Sequence, residues 1–256
     1  MEVKGPNQNQ KRAIARLAGT ISIAMLLFWY PAIRAGTIKD SAAASGATHG
    51  TYTTNFPLTE NPISEGGKWT NGRTDALDWA NVRTTPGFAF GTESGGLRSA
   101  PQKYDDSTAL LAGTWGPNQT AQATVRAVNQ NEKINEEVEL RLRSALSRHK
   151  ATGYEILFRS SQGANAYCEI VRWNGPLGSF TYLSRAKGPQ CAVANGDVVR
   201  ATIMGSVITA YINGAQVVQA TDNTYATGNP GIGFYLEGAS GVNGDYGFTS
   251  FMATDE

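Results

Sequence analysis

Histidine and cysteine are nearly absent from this 256-residue chain, which holds only His49 and His149, Cys168 and Cys191. A nucleophilic cysteine needs a base close by to take its proton, and so small a supply argues against a Cys/His enzyme. An excess of positive charge is missing too. Residues 1–35 carry five of the 22 basic side chains (Lys4, Lys11, Arg12, Arg16, Arg34) and one of the 21 acidic ones (Glu2), leaving 17 against 20 in the remainder. With neither a basic excess nor a basic cluster interleaved with aromatics, phosphate neutralisation is poorly served, and nucleic acid is not an expected partner. Long apolar runs are missing as well. The one candidate, Leu17 to Tyr30, falls short of the roughly 20 residues that cross a bilayer. It follows Lys11, Arg12 and Arg16 and precedes Pro31 and the small-residue end Ile33-Arg34-Ala35. That order is the n-region, h-region and cleavage site of a secretory signal peptide over residues 1–35. The expectation is a secreted protein (extracellular, periplasmic or at the cell surface) without stable membrane insertion after cleavage.

An exported chain permits a disulfide, and Cys168–Cys191 is the preferred reading over two free thiols. Closing a loop of that length contributes on the order of 3 kcal/mol in the chain-entropy model. Residues 36–52 are rich in Gly, Ala, Ser and Thr without an apolar period and read as a flexible lead-in. The remaining residues, 53–256, suffice for one self-supporting domain, so no metal or other cofactor is required by size.

What is present is period-two alternation. Ala123, Val125 and Ala127 alternate with Thr124 and Arg126; Val199, Ala201 and Ile203 alternate with Arg200 and Thr202; Ile208, Ala210 and Ile212 run up to Asn213-Gly214, a strong hairpin signal. Residues 134–149 contain good helix formers. Yet Val138, Leu140 and Leu142 alternate strictly with Glu137, Glu139, Arg141 and Arg143, which predicts a strand with all four charges on one face. Further strands are expected over 154–159, 166–173 and 179–184. Strand after strand at about ten-residue spacing, with no helical segment between, predicts an all-β antiparallel sandwich.

Several segments carry a family resemblance: Trp69-Thr70, Gly153-Tyr154-Glu155, Glu169-Ile-Val-Arg-Trp-Asn-Gly175, the Asn195–Asp222 hairpin and the Asn229–Phe234 turn. Over about residues 55–251 the chain resembles the concanavalin A-like lectin/glucanase superfamily, LamG-like jelly rolls. The resemblance implies a jelly-roll sandwich and one of three activities: sugar binding, polysaccharide hydrolysis, or polysaccharide cleavage by elimination. Hydrolases of this fold carry Glu-x-Asp-x-x-Glu, of which Glu137-Val-Glu139 copies the first half, and Arg141 stands where further carboxylates belong. Lyases of this fold carry Arg-Ser-Glu-Leu-Arg and Gln-Ile-His. Glu139-Leu-Arg141 is a fragment of the first, and neither histidine lies in the second.

The expected function is therefore a glycan-binding (lectin-like) or cell-envelope interaction module without catalysis, with a polysaccharide as partner. A lyase acting on a uronate-containing polysaccharide, in which Arg141, Arg143, Arg159 and Tyr167 would act, or a glycoside hydrolase is the alternative. The candidate carbohydrate site is Glu139, Arg141, Glu155, Arg159, Tyr167, Glu169 and Trp173, since carboxylate, guanidinium and aromatic groups suit sugar hydroxyls and ring faces. A solvated face laced by cross-strand Glu/Arg pairs explains the same letters. Asp222 and Asp245, each near Gly and Asn, are candidates for a structural calcium ion, while turn-forming Asx residues account for them equally. Gly231-x-Gly233 reads as a close-packed strand.

Overall fold

Alternation becomes two stacked sheets. The structure, a computed structural model, describes residues 50–72, 78–93, 104–130, 133–238 and 241–256. The expected signal peptide and residues 36–49 of the lead-in lie outside the described residues. Fifteen strands follow one another among those described: β1 (Thr51–Thr54), β2 (Trp69–Asn71), β3 (Arg83–Thr85), β4 (Phe88–Phe90), β5 (Ser107–Leu111), β6 (Gln119–Ala127), β7 (Asn135–Ser147), β8 (Lys150–Arg159), β9 (Tyr167–Gly175), β10 (Phe180–Lys187), β11 (Val198–Met204), β12 (Val207–Ile212), β13 (Ala215–Thr221), β14 (Asn229–Glu237) and β15 (Tyr246–Asp255). β1 thus begins inside the segment read as a lead-in, and pairs with β15.

One sheet has seven strands in the order β10-β9-β8-β7-β14-β5-β2, the other eight, ordered β13-β12-β11-β6-β15-β4-β3 with β1 beside β15. All pairings are antiparallel, and consecutive strands are often not neighbours, so the sheets are wound together as a jelly-roll sandwich. The Asn213-Gly214 turn joins β12 to β13 with both residues at positive φ, 49° and 82°, as a type I′ hairpin requires. No helix among the described residues is long and apolar enough to cross a membrane.

The core lies between the sheets. Val138, Leu140, Tyr154, Ile156, Phe158 and Ile170 from one sheet meet Ala121, Ala123, Val199, Ala201, Ile208 and Phe248 from the other, all buried. Truncating one of the larger of these to Ala costs about 2–5 kcal/mol. Cys168 and Cys191 are joined, with Cα atoms 5.4 Å apart, and staple β9 to the short turn after β10. Both are wholly buried in this core.

The expectation for β7 needs one correction. Glu137, Glu139 and Arg141 share the outward face, but Arg143 does not. The register slips between Leu142 and Ala145, and Arg143 adopts a φ of 44°. This is a β-bulge, whose extra residue re-aims the side chain. Gly228 and Gly153 leave room for it: a Cβ on Gly228 would stand 2.3 Å from the carbonyl carbon of Arg143, and one on Gly153 2.4 Å from the Cα of Ser144. The Arg143 guanidinium donates instead to the carbonyls of Pro117, Gly205 and Tyr225, at 2.6, 2.7 and 3.1 Å, and ties three loops together.

Candidate functional site: an acidic, aromatic-walled pocket

Strand register brings the expected residues together on the outer face of the seven-stranded sheet. One transverse row reads Thr108, Gly233, Glu139, Leu157, Glu169, Arg185; the next reads Gly231, Arg141, Glu155, Val171, Tyr182. Gly233 matters here, because a Cβ at that position would stand 2.1 Å from Glu139 Oε2 and 3.0 Å from an Arg141 nitrogen. The absent side chain is the space in which Glu139 and Arg141 lie.

Unlike an ordinary outward face, this one is not solvated. Glu139 is 0% exposed, Arg141 2%, Glu155 3%, Glu169 3% and Glu137 7%. A second apolar cluster covers part of it: Trp79 packs edge-on to Trp173 with centroids 5.6 Å apart, and Tyr104, Leu177 and Phe180 lean against the pair. Arg141 sits at the centre of the charges. It donates to Glu139 at 2.5 Å, pairs with Glu155 at 2.6 Å, and stands 3.7 Å from Asp106. The Trp173 indole N–H donates to Glu155 at 2.5 Å, Arg185 pairs with Glu169 at 2.5 Å, and the Tyr167 hydroxyl donates to Glu137.

More carboxyl groups than guanidinium groups are packed here, and their titration reflects it. Burial holds the Glu137 carboxyl well above the usual carboxylate range; the Tyr167 hydrogen bond pulls it down, while Glu155, Asp106 and Glu169 push it up. Burial, then Glu155, holds Glu139 high against the pull of Arg141. Glu169 is raised by burial, with Arg185 opposing. For Arg141 burial works against the charged form, yet Glu155, Glu139 and Asp106 outweigh it and the guanidinium is held more firmly charged than usual. The Tyr167 hydroxyl is raised by burial and by Glu137.

Above this floor opens a pocket of about 170 Å³. Of the residues anticipated as a sugar site, Glu155, Tyr167, Glu169 and Trp173 line it. Glu139 and Arg141 lie beneath, as the ion network that sets Glu155. Arg159 does not line the pocket: its guanidinium donates to the carbonyls of Asn165 and Ile134 at 2.9 and 3.1 Å, and stands 5.7 Å from the Tyr167 ring. The structure adds Tyr104, Asp106, Glu137, Phe180, Tyr182, Arg185 and Tyr235. Glu137 was visible in the alternation of β7. The rim aromatics come from β10, β14 and the loop before β5, and only non-local pairing brings them together.

The two acids expected to share a calcium ion have no contact in common. Asp222 accepts from Tyr154 and from Arg172, both at 2.6 Å, and from the Thr224 amide at 2.8 Å; these partners hold its carboxyl below the ordinary range although burial pushes it up. Asp245 accepts from Asn129 at 3.1 Å. Among the described residues, the group of acids close enough to share an ion is Asp106, Glu139 and Glu155. There the Arg141 guanidinium already stands among the carboxylates, so the donor set fits an internal cation better than a calcium ion, which takes six to eight oxygens.

No protein-family model matches the chain, and no curated protein does. Solved structures do. The CBM2 module of the Lactobacillus casei BL23 phage J-1 evolved Dit is 12% identical, with a TM-score of 0.51 covering 80% of this chain and 96% of that one. The metal-free carbohydrate recognition domain of Emp46p is 14% identical, with a TM-score of 0.50 covering 80% and 95%. At such identities the likeness speaks for the fold, which is a concanavalin A-like jelly-roll sandwich.

Proposed function

We propose that this chain is a secreted carbohydrate-binding module that seats a glycan in the pocket on the outer face of the seven-stranded sheet and does not cleave it. The observation that carries the reading is the pocket itself: buried carboxyl groups form its floor and aromatic rings its walls. Sugars need both, since their hydroxyls seek charge-assisted hydrogen bonds and their C–H faces seek rings. That the matched folds include a carbohydrate-binding module and a carbohydrate recognition domain agrees with it. Export agrees with the buried disulfide and with the signal-like residues 1–35. The domain division proposed is signal peptide, short lead-in, and one sandwich over the rest.

Elimination is disfavoured because the guanidinium groups that would neutralise a uronate are already engaged: Arg141 with three carboxylates and Arg143 with backbone carbonyls. Hydrolysis has one observation in its favour, a Glu137 carboxyl held high by burial in a pocket that also holds Glu155, since such cleavage uses a pair of carboxyl groups. The test is affinity electrophoresis of the protein against a polysaccharide panel, with reducing ends and the absorbance of unsaturated products followed in the same samples. Retention without products is expected, and Tyr182→Ala, which removes a ring 56% exposed at the rim, abolishes it without lowering the unfolding midpoint. Product release would replace this reading with a catalytic one, and absence of retention by every polymer would end it.

A further inference from the structure

Glu137 stands out from Asp106, Glu155 and Glu169 in the pocket. It lines the cavity and is 7% exposed, yet its hydrogen-bond partner is the neutral Tyr167 hydroxyl, and no cation among the described residues pairs with it. Its neighbours have theirs. Arg141 is taken by Glu139 and Glu155, and Arg185 by Glu169. A buried carboxylate without a counter-ion is costly, and the position is one that a cation from outside would stabilise.

The walls independently suit a cation. Phe180 stands perpendicular to Tyr104 (79°, 4.9 Å) and to Tyr182 (85°, 5.3 Å), and lies 5.3 Å from Trp173. With Tyr235 these rings line the pocket, and an aromatic ring attracts an ammonium group placed against its face. The same pocket rejects an anion. A uronate carboxylate would enter beside Glu137, Glu155 and Glu169 and find the nearby guanidinium groups engaged, Arg141 and Arg185 with carboxylates and Arg159, opposite Glu137, with backbone carbonyls, and like charges at close range repel.

We infer that the saccharide unit seated in this pocket carries a free ammonium group, as in an unacetylated amino sugar; the inference rests on the carbohydrate-binding reading above. Three N–H donors reach the carboxyl floor while the C–H side of the ring meets the aromatics. N-acetylation removes the charge and adds bulk at the same atom. The raised titration of Glu137, due first to burial, is the response expected of a carboxyl group lacking such a partner.

Isothermal titration of the protein at about 0.15 M salt, where the screening length is about 8 Å, tests this with four probes: glucosamine oligosaccharides, their N-acetylated counterparts, neutral glucan oligomers and oligouronates, with oligolysine as a charge control. Glucosamine oligomers are expected to bind at least about ten-fold tighter than the N-acetylated ones, a difference of about 1.4 kcal/mol, and Glu137→Gln erases the preference. If that variant fails to fold, Phe180→Leu, which keeps an apolar body but removes a ring, carries the same expectation. Equal or tighter binding of neutral, N-acetylated or uronate oligomers overturns the ammonium inference and leaves the glycan reading standing. Oligolysine binding as tightly as the amino sugar overturns it too, since charge alone would then explain the affinity. No binding by any saccharide overturns both.

Discussion

The two outer faces of this sandwich are built from the same alternation and solve opposite problems. On the eight-stranded sheet the register lays Thr51, Thr254, Thr120, Thr202, Thr209 and Gln219 in one row across six strands. Threonines are at home in such a row, since β-branched side chains fit a pleated surface and pair across strands. The nearest charge in the adjoining row is Arg200, which stands 4.1 Å over the ring of Tyr211. Nothing here strains against burial. On the seven-stranded sheet, by contrast, acids and an arginine are sealed under aromatic side chains. Stability alone does not call for that arrangement, because apolar residues of similar volume often serve a buried position as well or better. Perturbed titratable groups gathered in a cavity make it a candidate functional site. The difference between the faces, more than the fold, points to where this protein works.

The comparison breaks most visibly at the two arginines. Arg141→Met leaves Glu139 and Glu155 buried without their cation and is expected to lower unfolding stability by about 3–5 kcal/mol. Arg200→Met on the opposite face loses one exposed-side cation–π contact, about 0.5–1 kcal/mol. Chemical denaturation of both variants measures the contrast, and equal losses would mean that the buried network is no more demanding than the solvated face. Glycine supplies the next test. Gly233→Ala forces a methyl group against Glu139 and Arg141 and costs about 1–3 kcal/mol, whereas Thr202→Ala stays within about 0.5 kcal/mol of the native protein. If Gly233→Ala is as mild, the close approach of those side chains is wrong.

A smaller, pH-dependent effect sharpens the picture at the margin of the same strand. Burial, then Asp245, pushes the Glu136 carboxyl up from 4.5 to about 7. The folded protein keeps that proton over a range in which the unfolded chain has released it. The stability so gained is fully present below pH 4.5 and is lost as pH rises through about 7. Glu136→Gln is therefore expected to flatten the decline between those values and to be the more stable protein above pH 7. Parallel stability profiles for the variant and the native chain would contradict the assignment.

Much of this was legible in the chain. Strict alternation of Val138, Leu140 and Leu142 with charged residues overrode helix propensity and gave β7; Asn213-Gly214 gave the last hairpin; two cysteines gave the disulfide. Register then did the rest for Glu139, Arg141, Glu155, Glu169 and Trp173, because residues on one face of adjacent strands meet whatever their distance in sequence. Arg143 was misplaced because a bulge changes facing without changing the letters. The rim of Tyr104, Phe180, Tyr182 and Tyr235 was invisible because it depends on which strands become neighbours. Whether the charged face is solvated or covered also depends on tertiary packing, chiefly on where Trp79 comes to rest.

The central claim is that the covered acidic face, not the open threonine face, meets the ligand. Its most direct test is a titration of the isotope-labelled protein with its best-binding oligosaccharide, followed by amide and indole N–H resonances. Shifts are expected at the Trp173 indole and at the amides of Glu137, Glu155 and Tyr182, with Thr120, Thr202 and Thr209 unmoved. Shifts running along the threonine row while Trp173 stays still would contradict it.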